Sequence, residues 1–180
     1  MTVRLLSPSR SLFLIIDLQA RLLPAIYGSD DILIITKKIK AAAELLDIPV
    51  LFTEQNPAGL GHTTPELSPS PKTSALTKMT FNSCEAAGFE AALKNKEQII
   101  VAGSEAHVCV LQTVLGLMDM DKKVYVLQDA IGSRALENKN AAISRMKSHG
   151  AEIVTSEMVL FEWLKSAEHP KFKDVLKLIK

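Results

Sequence analysis

Two unbroken apolar runs, Ser11 to Ile16 (SLFLII) and Gln98 to Ala102 (QIIVA), constrain the fold more than anything else in this 180-residue chain. A strand with one wet face alternates apolar and polar residues, whereas a continuous aliphatic run needs cover on both faces. Such strands belong in a parallel sheet with helices packed above and below it. The second run is entered through the charged Lys94 to Glu97 and closed by Gly103. Beyond it Ala106, Val108, Cys109, Val110, Leu111, Val114, Leu115, Leu117 and Met118 recur at helical spacing, with Ser104 or Glu105 near the helix start.

The rest of the chain repeats this strand-then-helix pattern. Ser29-Asp30-Asp31 forms an N-cap cluster for a helix from Ile32 to Leu46, which turns Leu33, Ile35, Ile39, Ala42, Ala43 and Leu46 toward the sheet. Val50 to Thr53 is a second strand, and Thr73 to Thr77 a weaker third that delivers Lys78. Between them Glu54 to Pro71 is the longest irregular stretch, with the composition of either a binding loop or a plain surface excursion. Ser83 reads as the cap of a helix running to Leu93. Val124 to Leu127 is a fifth strand, Leu136 to His149 a helix stopped by Gly150, and Glu152 to Val154 a sixth strand. Ser156 and Glu157 then cap another helix, and Phe172 to Ile179 is a last amphipathic segment. This alternation predicts a three-layer α/β/α sandwich: a doubly wound, six-stranded, mostly parallel sheet, Rossmann-like, in one domain over residues 1–180.

Lys and Arg number 21 against 20 Asp and Glu, a net charge of +1, so no basic field exists to recruit nucleic acid or an anionic membrane. Leu12 to Ile16 is too short for a membrane span and is stopped by Asp17. Two cysteines point to a reducing compartment rather than a disulfide framework, which suits the cytoplasm. An organellar address stays open, because Arg4, Ser7, Ser9, Arg10 and Ser11 make a weakly Arg/Ser-rich start.

Right-handed crossovers put every strand's carboxyl end on one edge, the edge where open parallel sheets bind ligands. Asp17 follows the first strand there, Lys78 the third and Cys109 the fourth, and a common strand order sets the first and fourth strands side by side. Each has a plain alternative: a turn cap, a solvated lysine, a small buried hydrophobe. As a set they make one device, since a thiol needs a base for its proton and a cation for the charge that develops. The helix placement also predicts that unpaired N–H groups favour the Cys109 thiolate.

The segments LFLIIDLQ, TEQNPAGLG, KMTFNSC and VAGSEAHVCVLQT, in this order and spacing, resemble the isochorismatase-like cysteine hydrolase superfamily, which includes nicotinamidases and N-carbamoylsarcosine amidohydrolases. Thr53-Glu54-Gln55, the Asp129 to Arg134 turn and Thr155 to Glu157 resemble the small isochorismatase domain-containing proteins within it. The resemblance implies that Asp17 is the base, Lys78 its electrostatic partner and Cys109 a nucleophile that forms a thioester. It further implies a non-proline cis peptide between Ser104 and Glu105, an oxyanion hole from the Glu105 and Cys109 N–H groups, a small-molecule substrate, no cofactor and a homo-oligomer. Where nicotinamidases of the family carry a metal-binding Asp-x-His, this chain has Glu54-Gln55-Asn56, so no zinc is expected and nicotinamide is disfavoured as a substrate; His62 and His107 lie too far apart in sequence to argue a ligand pair.

Gln19, Glu54, Phe81, Asn82 and His107 are candidate pocket residues, each with loop filler or surface histidine as the plain alternative. Cys84 lacks a partnered base and reads as inert, and Trp163 as a core or subunit-contact residue. The reading that results is a metal-free cysteine hydrolase acting on an amide-type carbon–nitrogen bond, in which Lys78→Ala loses rate with the fold intact. Its rivals are an idle scaffold that keeps the fold and a redox-responsive protein whose Cys109 is oxidised.

Overall fold

A computed structural model of the chain describes residues 5–67 and 74–179. Among the described residues the strands are β1 (Ser11–Ile16), β2 (Val50–Gln55), β3 (Ser74–Lys78), β4 (Gln98–Ser104), β5 (Lys123–Gly132) and β6 (Glu152–Val154). They form one sheet in the order β3-β2-β1-β4-β5-β6, with all neighbours parallel. The helices are α1 (Ser29–Leu45), α2 (Pro57–Leu60), α3 (Phe89–Ala92), α4 (Leu111–Asp119), α5 (Leu136–Ser148), α6 (Ser156–Leu164) and α7 (Phe172–Ile179). The expected sandwich is present, with its switch point between β1 and β4 and an entirely parallel sheet.

All six residues of β1 are buried, as its unbroken apolar run requires. Period-two alternation divides them between two cores. Phe13 and Ile15, with Phe52, Ile100 and Ala102, pack against Ile39 of α1, Leu160 of α6 and Val175 of α7. Leu12, Leu14 and Ile16, with Leu51, Ile99 and Val101, pack against Phe89, Val114, Leu117 and Met146 from α3, α4 and α5. Each large aliphatic or aromatic side chain taken fully from water contributes about 1.5–3 kcal/mol, so these two layers carry the stability of the fold. Trp163 belongs to the first core, 1% exposed, and its indole N–H donates to Ser11 Oγ at 3.0 Å.

Local chemistry departs from the sequence reading at several element ends. The first helix begins at Ser29, not Ile32, and its cap is Gly28; Asp30 and Asp31 lie inside the first turn, where the helix dipole favours them. The helix expected from Ser83 to Leu93 is broken in two. Asn82 caps a short 3-10 turn, Ser83–Glu85, and Gly88 at φ +80° redirects the chain before α3. Thr155, rather than Ser156 or Glu157, caps α6. The Ser156 N–H and hydroxyl instead hold the Asp129 carboxylate at 3.0 and 2.6 Å. Asp129 lies where β5 slips its register against β4 between the pairs Val101↔Val126 and Gly103↔Ile131, which makes β5 much longer than Val124 to Leu127.

The stretch from Glu54 is more ordered than its composition suggests. Glu54 and Gln55 extend β2, α2 and a 3-10 turn (Pro65–Leu67) follow, and Gln19 makes an isolated antiparallel bridge to Thr63. Residues 68–71 of that stretch, and Thr73 of the third strand, lie outside the described residues.

Candidate active site

The carboxyl ends of β1, β2, β3 and β4 converge on one spot. Strand alternation delivers two of its groups: Thr53 lies two residues after Leu51, and Lys78 two after Leu76, both on the face covered by α4. Continuing that alternation would point Asp17 at the opposite layer from Ile16. Instead Asp17 takes φ +51°, a conformation uncommon for a non-glycine residue, and the chain turns there.

Asp17 is wholly buried. Its Oδ2 accepts from Lys78 Nζ at 2.6 Å and its Oδ1 from the Thr53 hydroxyl at 2.7 Å. The main chain is gripped as well: the Asp17 N–H donates to the Thr53 carbonyl at 3.1 Å, and the Asp17 carbonyl accepts from Ser104 Oγ at 3.0 Å. Lys78 directs its other donors at the carbonyls of Thr80 and Phe81, each at 3.3 Å. The ion pair therefore sits out of water with every ammonium proton directed at an oxygen.

Cys109 arrives from the other side. The Ser104–Glu105 peptide bond is cis, where the resemblance implied it. Ala106–Val110 then forms a π-type turn, wider than the expected α-helix, in which the Val110 N–H donates to the Glu105 carbonyl at 3.1 Å. Gly103 allows β4 to pass this close to β1. At φ +139° it faces Ile16, and a Cβ there would fall on the Ile16 carbonyl oxygen.

Cys109 is 7% exposed, and Asp17 and Lys78 lie near enough for their charges to act on its thiol. Burial first, and then the Asp17 charge, push this thiol up to about 12; Lys78 and the Glu105 N–H pull the other way but do not prevail. This reverses the expectation of a resting thiolate, because desolvation outweighs the helix N–H groups. Burial thus holds Cys109 toward the thiol form, near the Asp17 carboxylate. Cys84 is likewise pushed up to about 12, by burial first and then by Glu85 and Asp119, and its sulfur lies 3.7 Å from the Thr113 carbonyl.

The remaining candidates divide. Gln19 is fully buried. Its amide N–H groups donate to the Gln55 and Gly61 carbonyls and its oxygen accepts from the Gln55 N–H, so it braces the 55–61 segment. Glu54 is a second brace: its carboxylate accepts from the Thr63 N–H at 2.7 Å and Oγ1 at 2.8 Å and pairs with His62 Nδ1 at 2.9 Å. Burial alone would raise this carboxyl, but those hydrogen bonds and the His62 charge bring it below its ordinary value. Asn82 serves as a cap, accepting from the Cys84 N–H. Phe81 is half exposed beside Lys78, and His107 is half-buried with Nδ1 3.0 Å from Ser133 Oγ. The Glu105 carboxylate accepts from Arg134 Nε at 2.8 Å. Thr53, absent from the candidates although its segment stood out in the sequence, is the residue that strand periodicity should have added. Among the described residues no three His, Cys, Asp or Glu side chains gather as a metal-ligand set, and no helix is long and apolar enough to cross a membrane.

A parallel α/β sandwich with these groups at its switch-point edge has the architecture of a hydrolase. Residues 11–158 match the Isochorismatase domain, and the chain belongs to the isochorismatase family. It is 34% identical over 174 residues to mouse isochorismatase domain-containing protein 2A, covering 96% of this chain and 84% of that protein. It is 34% identical over 177 residues to zebrafish isochorismatase domain-containing protein 1, yet spans only 62% of that protein's length. Among solved structures it resembles the MAR1 ribonuclease of Caenorhabditis elegans, with a TM-score of 0.94 at 36% identity over 98% of this chain and 92% of that one. It also resembles YcaC of Pseudomonas aeruginosa, solved with hexane-2,5-diol and covalent acrylamide, with a TM-score of 0.90 at 25% identity over 99% and 93% of the two chains.

Proposed function

We propose that residues 1–180 form one cysteine hydrolase domain that cleaves an amide-type carbon–nitrogen bond of a small molecule, with Asp17, Lys78 and Cys109 as its machinery. The observation that carries this reading is the wholly buried Asp17–Lys78 pair, 2.6 Å apart, whose two charges both act on the Cys109 thiol. Burying two charges costs several kcal/mol per ion before their attraction is counted, and an apolar pair of similar volume often serves stability as well or better. A pair kept in that position is better explained by chemistry.

As the Cys109 sulfur attacks the substrate carbonyl carbon, its proton passes to Asp17. The oxyanion that forms is met by the Glu105 and Cys109 N–H groups, with Lys78 offsetting the charge that comes and goes on the carboxylate. Collapse of the adduct breaks the carbon–nitrogen bond; Asp17 returns the proton to the departing nitrogen and a thioester remains. Asp17 then takes a proton from water, whose oxygen attacks the thioester, and the thiol leaves with that proton. Every step is proton transfer or acyl transfer, so the reading needs no cofactor, and Glu54-Gln55-Asn56 in place of Asp-x-His gives it no metal. The covalent acrylamide named for the Pseudomonas relative supports an accessible nucleophile in this fold. Exposed Leu5, Met158 and Phe161, which line one groove of about 770 Å³, support the homo-oligomer.

The ribonuclease named for the C. elegans relative supplies a second reading, hydrolysis of an RNA phosphodiester. The charge of +1 favours a small neutral substrate over a polyanion. One experiment separates them: wild type and Cys109→Ala are incubated with a panel of primary carboxamides and ureido compounds, and with end-labelled RNA. Ammonia release that Cys109→Ala abolishes supports the hydrolase. RNA cleavage without ammonia release supports the second reading, and silence on both leaves the idle scaffold.

A further inference from the structure

We infer that Thr53 is a positioning residue for the Asp17 base, an inference that rests on the hydrolase reading above. A carboxylate that must collect a proton from a thiol has to present one oxygen lone pair along the S–H direction. Left with Lys78 alone, the Asp17 carboxylate is free to rotate about its last bond and meet the ammonium with either or both oxygens. Thr53 removes that freedom. Its hydroxyl takes Oδ1 at 2.7 Å while Lys78 takes Oδ2 at 2.6 Å, and the two donors on separate strands fix the carboxylate plane.

The residue is built for the task. Thr53 is 1% exposed, in register with Ile16 on β1, and β-branched, so its side chain has few rotamers to choose from. The same residue holds Asp17 a second time through the N–H donated to its carbonyl at 3.1 Å, just where the chain turns to φ +51°. A valine would fill much the same volume beside Leu51, so packing alone does not call for a hydroxyl here.

The test uses p-nitrophenyl acetate, whose acyl transfer to a thiol releases nitrophenolate, and reads the acylation burst that Cys109→Ala removes. Thr53→Val should lower the burst rate about tenfold, a fraction of the ~10²–10⁴ that a well-placed base supplies. Thr53→Ser, which restores the hydroxyl, should return the wild-type rate. Asp17→Asn serves as the control for the reading itself. If Asp17→Asn is impaired while Thr53→Val matches wild type, the positioning role is overturned and the base survives. If the burst does not depend on Cys109, or Asp17→Asn keeps the wild-type rate, the hydrolase reading falls and the inference with it. Thr53→Val preserves volume and charge, so what it shows does not depend on whether Asp17→Asn folds well.

Discussion

Lys78 Nζ lies 2.6 Å from Asp17 Oδ2 with both side chains wholly out of solvent. This changes what removing the lysine should do. From sequence alone Lys78→Ala is a rate defect in an intact fold, but in the structure it leaves a wholly buried carboxylate without its cation. Breaking a buried pair by deleting one partner costs about 3–5 kcal/mol. Lys78→Ala should therefore lose that much stability by urea unfolding as well as activity, and the double variant Asp17→Asn/Lys78→Met should recover much of the stability while remaining inactive.

Gly103 and Ile16 make a second sharp prediction. Any Cβ at 103 meets the Ile16 carbonyl, and φ +139° is itself unfavourable for an L-residue. Gly103→Ala should cost at least about 1–3 kcal/mol, and should also displace Cys109, which follows on the same strand-to-turn connection. Thermal unfolding and the Cys109-dependent acylation burst should both suffer. A variant with wild-type stability would mean the two strands are not this close.

The strands and the meeting of Asp17 with Lys78 at the sheet edge were legible because they depend on periodicity and strand ends. Unbroken runs such as SLFLII fix burial on both faces, and a residue after such a run lands at the sheet edge wherever the helices lie. The misses share a different physical origin. Whether Cys109 rests as thiol or thiolate depends on how completely the helix buries it, which no spacing records. The bracing bonds of Gln19 and Glu54 were not legible either, because an amide or carboxylate goes to whichever backbone groups the fold leaves nearby, here those of residues 55–63. The break at Gly88 reflects a positive φ that the apolar pattern from Ser83 to Leu93 conceals.

Glu54 should leave a signature in acid. Its folded-state carboxyl lies below the ordinary value, so the folded form binds its proton less readily than the unfolded chain does. The stability it contributes is fully present above the unfolded value of about 4.3 and is lost as pH falls through the lower folded value. Wild type should lose urea resistance through this window, and Glu54→Gln should start weaker at pH 7 and lose less. Parallel curves for the two proteins would remove Glu54 as the brace of the 54–63 segment.

Both thiols are pushed up to about 12, against ~8.5 for a free cysteine. In the native protein at pH 7, iodoacetamide should therefore modify Cys84 and Cys109 more slowly than it modifies either in urea, as read by peptide mass spectrometry. Fast native alkylation of Cys109 alone near pH 6 would show a resting thiolate and reverse the protonation state described here.

The hydrolase reading stands or falls on whether Cys109 becomes covalently acylated during turnover. Wild type can be mixed with the carboxamide and ureido panel, quenched in acid within the first turnover and mapped by mass spectrometry. The expected result is an acyl mass on the peptide carrying Cys109, none on Cys84, and neither adduct nor ammonia from Cys109→Ala. Ammonia release that persists in Cys109→Ala, or an acyl group that settles elsewhere, would show that Cys109 is not the nucleophile.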